Sequence, residues 1–206
     1  AAKPLGASHR KLKDKNKKRL LKMRLLMIAS ALLIATGCAQ KFSAAEYLQL
    51  DKKYDVVIER DHLGVPHIIG ERDVDAAFGF AYAQAEDNWQ IIHDSIPFYR
   101  GTNAAINGRD AATTDFLIHW LGIWQDLDAG YEIRLKPETR AYIEAFADGI
   151  NYYAALHPEE TNQRIFPING KDIVAGYMLR HLLFYGFDAP VIELFEEQRK
   201  YPVSKP

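Results

Sequence analysis

Apolar and polar positions alternate in two short stretches near the start of the chain's main region, and this period of two predicts a β-hairpin. Residues 54–60 read YDVVIER, in which β-branched residues favour a strand. Residues 62–69 read HLGVPHII and form its partner across the turn signal Leu63-Gly64. A two-stranded sheet is only marginally stable alone. The hairpin therefore lies on a helical bundle or joins strands of another chain, and we favour the second.

Beyond Gly70 the apolar positions recur every three to four residues, which predicts helices for almost the whole remaining chain. Asp73 and Asp172 are the expected N-caps of the first and fourth helices, and Pro137 takes the favoured first position of the third. The predicted fold class is α+β, mostly helical with an N-terminal β-hairpin. The predicted helices cover residues 74–99, 114–127, from 137 onward, 172–185 and 192–200.

The first 37 residues form a basic leader and signal peptide, and an uncharged apolar run, LLMIASALLIATGCA, extends from residue 25 to residue 39. The run is shorter than the about 20 apolar residues of a membrane span and is typical of a secretory signal. Small residues precede Cys38, and this pattern resembles the cleavage box of bacterial lipoproteins. We expect lipidation of Cys38, export to the periplasmic side of a bacterial membrane, and a lipid-anchored tether over 38–53. The alternative is a structural cysteine in a core helix.

Composition and charge narrow the classes of function. Hydrophobic residues make up 48% of the chain, which is a globular composition. Residues 1–24 hold ten of the 26 Lys and Arg, whereas from Ala39 onward 16 basic residues face 26 acidic ones. Because nucleic-acid binding relies on clustered Lys and Arg, we expect no nucleic-acid partner for the folded part. A lone cysteine also excludes an intrachain disulfide.

Three motifs carry a resemblance to a known family. GVPHI at 64–68, FGFAYAQAEDN at 78–88 and AFADGIN at 145–151 occur in the order and approximate spacing of the α subunit of penicillin acylases. AEDN, FYRG and DFLIHWL are more similar to the acyl-homoserine lactone and aculeacin acylase branch. The resemblance implies that 54–206 is an α-subunit-like region. It would complete the αββα fold of an N-terminal-nucleophile hydrolase with a β subunit from the same precursor.

The middle motif also has a physical interpretation. Gly79, Ala81, Ala83 and Ala85 lack bulky side chains, so a neighbouring helix or sheet can approach the backbone closely. The polar cluster at 86–88 can orient backbone groups or partners, although an ordinary solvated face explains it almost as well. We interpret the stretch as an architectural joint and not as a catalytic motif.

The resemblance implies that the nucleophile is a new N-terminal Ser of the β subunit. Its α-amino group, with a pKa near 8, can serve as the base for its own hydroxyl. We therefore predict no catalytic residue in this chain and no activity of the chain alone. Ser43, Ser95 and Ser204 are the candidate serine nucleophiles after the cleavage box, and none has a recognisable catalytic setting.

By the same resemblance, the segment MLRHLLFYGF at 178–187 supplies the acyl pocket. Phe184 and Tyr185 resemble the pocket-lining pair, with His181 one turn earlier; the alternative is that they are core residues at helical spacing. No cofactor is required, and Glu193 is the candidate ligand of a structural calcium ion. The implied substrate is a small acyl amide: an acyl-homoserine lactone, a β-lactam or a lipopeptide. The competing hypothesis is a non-catalytic, lipid-anchored helical binding protein.

Overall fold

The structure is a computed structural model that describes residues 42–190 and 192–193. Within these residues one antiparallel hairpin is followed by a series of helices. None of the described helices is both long enough and apolar enough to cross a membrane. The elements are α1 (Ala44–Tyr47), β1 (Val56–Arg60), β2 (Pro66–Gly70), α2 (Asp73–Arg100), α3 (Ala104–Asn107), α4 (Ala112–Leu121), α5 (Ile123–Arg134), α6 (Pro137–Leu156) and α7 (Gly170–Phe184).

The hairpin forms as the alternating pattern predicts. Strands β1 and β2 pair antiparallel, with Val57 opposite Ile69 and Ile58 opposite Ile68. Gly64 in the connecting turn has a φ of +82°, a left-handed conformation that glycine adopts without steric cost. The α+β prediction of a mostly helical chain with an N-terminal hairpin is confirmed.

Helix α2 lies between the hairpin and α6, and two glycines allow this close packing. A Cβ on Gly79 would meet the side chains of Val56 and Ile68, so α2 packs directly on the inner face of the hairpin. A Cβ on Gly149 of α6 would overlap the carbonyl oxygen of Phe78. Small residues therefore set the spacing of three layers, as the close-approach interpretation of residues 79–85 predicts.

The core between α2 and α6 is aromatic. The ring of Trp89 lies 4.8 Å from that of Tyr153 and 5.4 Å from that of Phe166, measured between centroids. Its indole N–H donates to the carbonyl oxygen of Glu160 at 3.2 Å. Buried isoleucines at 96, 150, 165 and 168 complete this cluster. Trp89 therefore joins α2 to the loop that leads into α7.

The helix boundaries differ from the predictions in three places. Helix α2 is kinked at Asn88, whose φ and ψ of −141° and 36° are not helical. The predicted helix 114–127 is two helices, because Gly122 adopts a left-handed conformation at φ +66° that ends α4. The N-caps are Arg72 and Asn169, so Asp73 and Asp172 lie within the first turns of their helices.

The outer face of the hairpin is uncovered in the described part of the chain and carries two apolar residues beside the polar pair Glu59 and His67. Val57 and Ile69, which pair across the two strands, are 52% and 57% exposed. Leu63 and Val65 in and beside the turn are also exposed. In the same part of the chain no further strand pairs with either edge. The described residues thus cover only one face of this sheet.

A buried carboxylate fastens the hairpin to the start of α2. Asp75 is fully buried and accepts hydrogen bonds from the backbone N–H of Asp55 at 3.1 Å and from Nε of Arg72 at 2.8 Å. The Arg72 guanidinium, helped by backbone N–H donors, lowers the pKa of Asp75 to about 2. The ionised form of Asp75 is therefore the form that the fold stabilises.

This lowered pKa predicts a loss of stability in acid. Because the pKa of Asp75 in the folded chain lies below its unfolded value of about 3.9, the stability that it contributes is complete above that value. It is lost as the pH falls towards about 2. We expect the difference in free energy of unfolding between the chain and its Asp75→Asn variant to be largest above pH ~5.

Urea unfolding of both proteins between pH ~6 and ~2.5 measures this difference. We expect it to shrink steadily through the lower half of that range. A difference independent of pH would contradict the assignment. Asp51→Asn, at an exposed position in a short 3₁₀ helix, is the matched control and should leave the acid slope almost unchanged.

Candidate functional site

An arginine–aspartate pair fixes where α7 begins. Arg100, at the end of α2, contacts both carboxylate oxygens of the fully buried Asp172, at 2.6 Å through Nε and 2.8 Å through Nη2. The same guanidinium donates to the carbonyl oxygens of Ile165 and Pro167. One side chain therefore joins three parts of the chain: the end of α2, the loop before α7, and the first turn of α7.

The start of α7 is also capped locally. The side-chain oxygen of Asn169 accepts the N–H of Lys171 at 2.9 Å, and Asp172 accepts the N–H of Asn169 at 2.9 Å. This reciprocal pair is a capping box, which satisfies backbone donors that have no partner within the helix. Ala175 and Leu179 are buried on the inner side of α7 against α4 and α5. The opposite side of α7 faces outward.

This outward side carries an aromatic cluster, which consists of Tyr177, His181, Phe184 and Tyr185. The rings of Tyr177 and His181 stack at 5.6 Å between centroids, and His181 meets Tyr185 edge-on at 4.8 Å. Phe184 and Tyr185 are 83% and 74% exposed. The structure thus brings the three predicted pocket residues together on the surface, where they do not serve as core.

The aromatic cluster can contact an apolar group. His181 and Tyr185 line an open cavity of about 300 Å³, together with Phe187 and Pro190. Exposed aromatic side chains supply a large apolar contact area with few rotatable bonds. Contiguous exposed apolar surface marks sites of contact with ligands or partners. The geometry suits contact with an apolar group, and the aromatic cluster contains no Ser, Thr or Cys.

Of the candidate serine nucleophiles, Ser43 and Ser95 do not line the cavity beside His181 and Tyr185. Ser95 is inside α2 and its hydroxyl donates to the carbonyl oxygen of Ile91 at 2.6 Å, four residues back along the helix. Ser43 is exposed beside α1. Ser204 lies outside the described residues, as does Cys38, the predicted lipidation site.

The calcium hypothesis for Glu193 stays a prediction. Glu193 is helical and exposed. Where side chains are described, the cluster with metal-binding geometry is His157, Glu159 and Glu160, just after α6, and it does not include Glu193. These three side chains are partly or largely exposed, and exposed acidic groups often occur without a metal ion.

The polar end of FGFAYAQAEDN connects α2 to the hairpin. Arg60, the last residue of β1, contacts Glu86 at 2.9 Å and Asp87 at 3.0 Å. The hydrogen bond to Glu86, and to a smaller extent the one to Asp87, raise the pKa of the Arg60 guanidinium above its usual value. Asn88, the next residue, is the kink in α2. The motif is thus a joint between the hairpin and the two halves of the helix.

Comparison with known families decides the wider assignment. The family model described as penicillin amidase matches residues 55–184, which is more than half of the chain. The chain belongs to the penicillin amidase family. The match includes the hairpin, the joint at 86–88 and all of α7, so the predicted resemblance is confirmed.

Several curated relatives in the penicillin amidase family are acylases. The acyl-homoserine lactone acylase PvdQ of Pseudomonas fluorescens (strain Pf0-1) is 29% identical over 138 residues, which is 63% of this chain and 17% of that protein. Penicillin G acylase of Escherichia coli is 28% identical over 97 residues, 47% of this chain and 11% of that protein. Aculeacin-A acylase of Actinoplanes utahensis is 27% identical over 128 residues, 62% and 14% respectively.

The chain spans about a fifth or less of the length of these relatives. A solved structure of the thermostable penicillin G acylase from Alcaligenes faecalis matches 74% of this chain and 93% of the compared chain, with 19% identity and a TM-score of 0.49.

The penicillin amidase match contains some of the predicted site residues and not others. His181 and Phe184 lie inside residues 55–184, Tyr185 follows directly, and Glu193 lies beyond. Sequence reasoning missed Tyr177, which stacks on His181. The sequence contained a signal for Tyr177: it lies four residues before His181, and residues four apart on a helix share a face.

Proposed function

We propose that this chain is the α subunit, or the N-terminal fragment, of an acylase that hydrolyses the amide bond between an apolar acyl chain and a polar amine. The observation that carries the proposal is the family match, together with relatives that are named as acylases of three different acyl amides. The substrate classes under consideration are acyl-homoserine lactones, β-lactams and lipopeptides.

The proposed partner is a β subunit from the same precursor. The hairpin supports it: Val57 and Ile69 are exposed on its outer face, and both strand edges are open in the described residues. Added strands would satisfy the backbone groups of those edges, and a layer packed on the widened sheet would cover its outer face. The nucleophile would then be the N-terminal residue of the β subunit, activated by its own α-amino group.

The proposed role of this chain in the reaction is to contact the acyl group. The aromatic cluster supports this role because its rings are exposed and contact one another, and two of them, His181 and Tyr185, border a cavity. Lipidation at Cys38 and a periplasmic location are further parts of the proposal, and they rest on the pattern of residues 25–39.

Mass spectrometry of the complete gene product tests the proposal. We expect two polypeptides after expression of the whole reading frame, the second beginning with Ser, Thr or Cys. We also expect hydrolysis of at least one acyl amide by the processed protein, measured as release of the free amine. A single uncut product without hydrolysis would refute the proposal and favour the non-catalytic binding protein.

Removal of the most exposed ring tests the role of the aromatic cluster. Because full burial of a Phe side chain contributes about 1.5–3 kcal/mol, we expect Phe184→Ala to lower kcat/KM for an apolar acyl amide about tenfold or more. The loss should be smaller for substrates with short acyl groups. Phe116→Ala, at a 58% exposed position on α4, is the matched control and should leave kcat/KM unchanged. Equal effects of the two variants would exclude the assigned contact.

A further inference from the structure

A second apolar concavity lies between α2, α6 and α7. It has a volume of about 330 Å³ and is open on one side. Sites for small ligands begin at about this size. Its floor is formed by side chains from all three helices: Ile92, Ile96, Phe146, Ile150 and Ile173.

The polar groups around this groove are not equivalent. Asp172, at one end, is already held by Arg100 through both carboxylate oxygens. The Ser95 hydroxyl is engaged by the carbonyl oxygen of Ile91. Arg180 also lines the groove, and within the described part of the chain no carboxylate lies at ion-pairing distance from it. The groove thus combines an isoleucine floor with one available positive charge.

The length of the groove follows from α7. Asp172 and Arg180 are two turns apart, about 12 Å along the helix axis. A ligand that fits must therefore be elongated and apolar, with an anionic group at one end. Arginine binds carboxylates through paired hydrogen bonds that are stronger than those between neutral groups.

We propose that this groove binds a medium-chain fatty carboxylate, with the alkyl chain along the isoleucine floor and the carboxylate on the Arg180 guanidinium. The groove shares only Tyr177 with the aromatic cluster, since His181, Phe184 and Tyr185 do not line it. It requires no bond cleavage, so it goes beyond the proposed acylase function and stands independently of it.

Calorimetric titration of the complete purified gene product with decanoate tests this site. We expect saturable binding of decanoate, weaker binding of 1-decanol, which lacks the charge, and weaker binding still of decyltrimethylammonium, whose charge has the wrong sign. Titrations are kept below the micelle concentration. The proposal would be overturned by the absence of saturable binding or by equal binding of the three amphiphiles. A partner chain that covers the groove would abolish saturable binding and so would also overturn it.

Variants locate the bound decanoate. Arg180→Met should weaken its binding about tenfold, whereas Lys171→Met, which removes another cation of α7 outside the groove, should not. Ser95→Phe should block the groove, with Ser95→Ala as the control that removes the hydroxyl without filling space.

Phe184→Ala should leave decanoate binding unchanged, which separates the groove from the aromatic cluster. Loss of binding in Phe184→Ala but not in Arg180→Met would place the ligand at the aromatic cluster and refute the groove. Because the readout is binding heat, it remains interpretable if the gene product hydrolyses no acyl amide.

Discussion

Replacement of Asp172 by alanine should lower the free energy of unfolding by about 3–5 kcal/mol, because it leaves a largely buried guanidinium without its counter-ion. The Asp172 carboxylate is fully buried, and the Arg100 side chain is only 24% exposed. The guanidinium would keep its contacts with the carbonyl oxygens of Ile165 and Pro167, which carry no compensating charge. The variant should therefore loosen the loop before α7 as well as α7 itself.

Urea unfolding of the purified chain measures the loss caused by Asp172→Ala. The matched control is the exposed ion pair between Lys171, on the same first turn of α7, and Asp128 of α5, at 2.7 Å. Because exposed ion pairs contribute between zero and about 1 kcal/mol, Asp128→Ala should cost no more than that. Similar losses in the two variants would show that the Arg100–Asp172 pair is not a structural anchor.

The second large effect is expected at Asn151, a fully buried amide on α6. Its Nδ2 donates to the carbonyl oxygen of Ile168 at 2.8 Å, and its Oδ1 accepts the Ile168 N–H at 2.9 Å. Asn151→Ala would leave two buried backbone groups without partners. We expect a loss of about 2–4 kcal/mol in the free energy of unfolding, since each unsatisfied group costs about 1–3 kcal/mol.

An exposed asparagine provides the comparison for this variant. Asn107 donates to the side chain of Asn103 at 2.6 Å on the surface of α3. Because water can replace that bond, Asn107→Ala should cost less than about 0.5 kcal/mol. Hydrogen exchange should also show faster exchange of the Ile168 amide in Asn151→Ala. Protection of that amide equal to the unmodified chain would exclude the assigned role.

Local patterns were sufficient to predict the hairpin and the close packing of α2. The alternation in 54–60 sets which side of β1 faces α2, because side chains on a strand alternate between faces. The glycine at 79 has no side chain, and the structure shows that Val56 and Ile68 occupy the space beside it. The hairpin depends on residues that are close in sequence, and the close packing of α2 depends on the missing side chain of a glycine. Both can be seen directly in the sequence.

Long-range polar contacts could not be predicted in the same way. Arg100 and Asp172 are 72 residues apart, and the sequence offers each many possible partners of opposite charge. The kink at Asn88 was also missed, because an asparagine inside an apolar periodic segment does not by itself end a helix. Tertiary packing determines both.

The candidate site was predicted in part. The segment MLRHLLFYGF placed His181, Phe184 and Tyr185 on one helix, and the structure shows that their rings meet on an exposed surface. The groove at Arg180 was not predicted, because its floor comes from three helices that are distant in sequence. No single periodic pattern contains it.

The two open strand edges also matter while the chain is being made. Within the described residues both edges have unpaired N–H and C=O groups, which are a template for the same hairpin of another copy, so concentrated isolated chains should self-associate through it. Strands supplied by the same polypeptide would meet these edges at an effective concentration in the millimolar range. Covalent continuity during synthesis would then outcompete aggregation, and cutting the chain only after assembly would preserve that advantage.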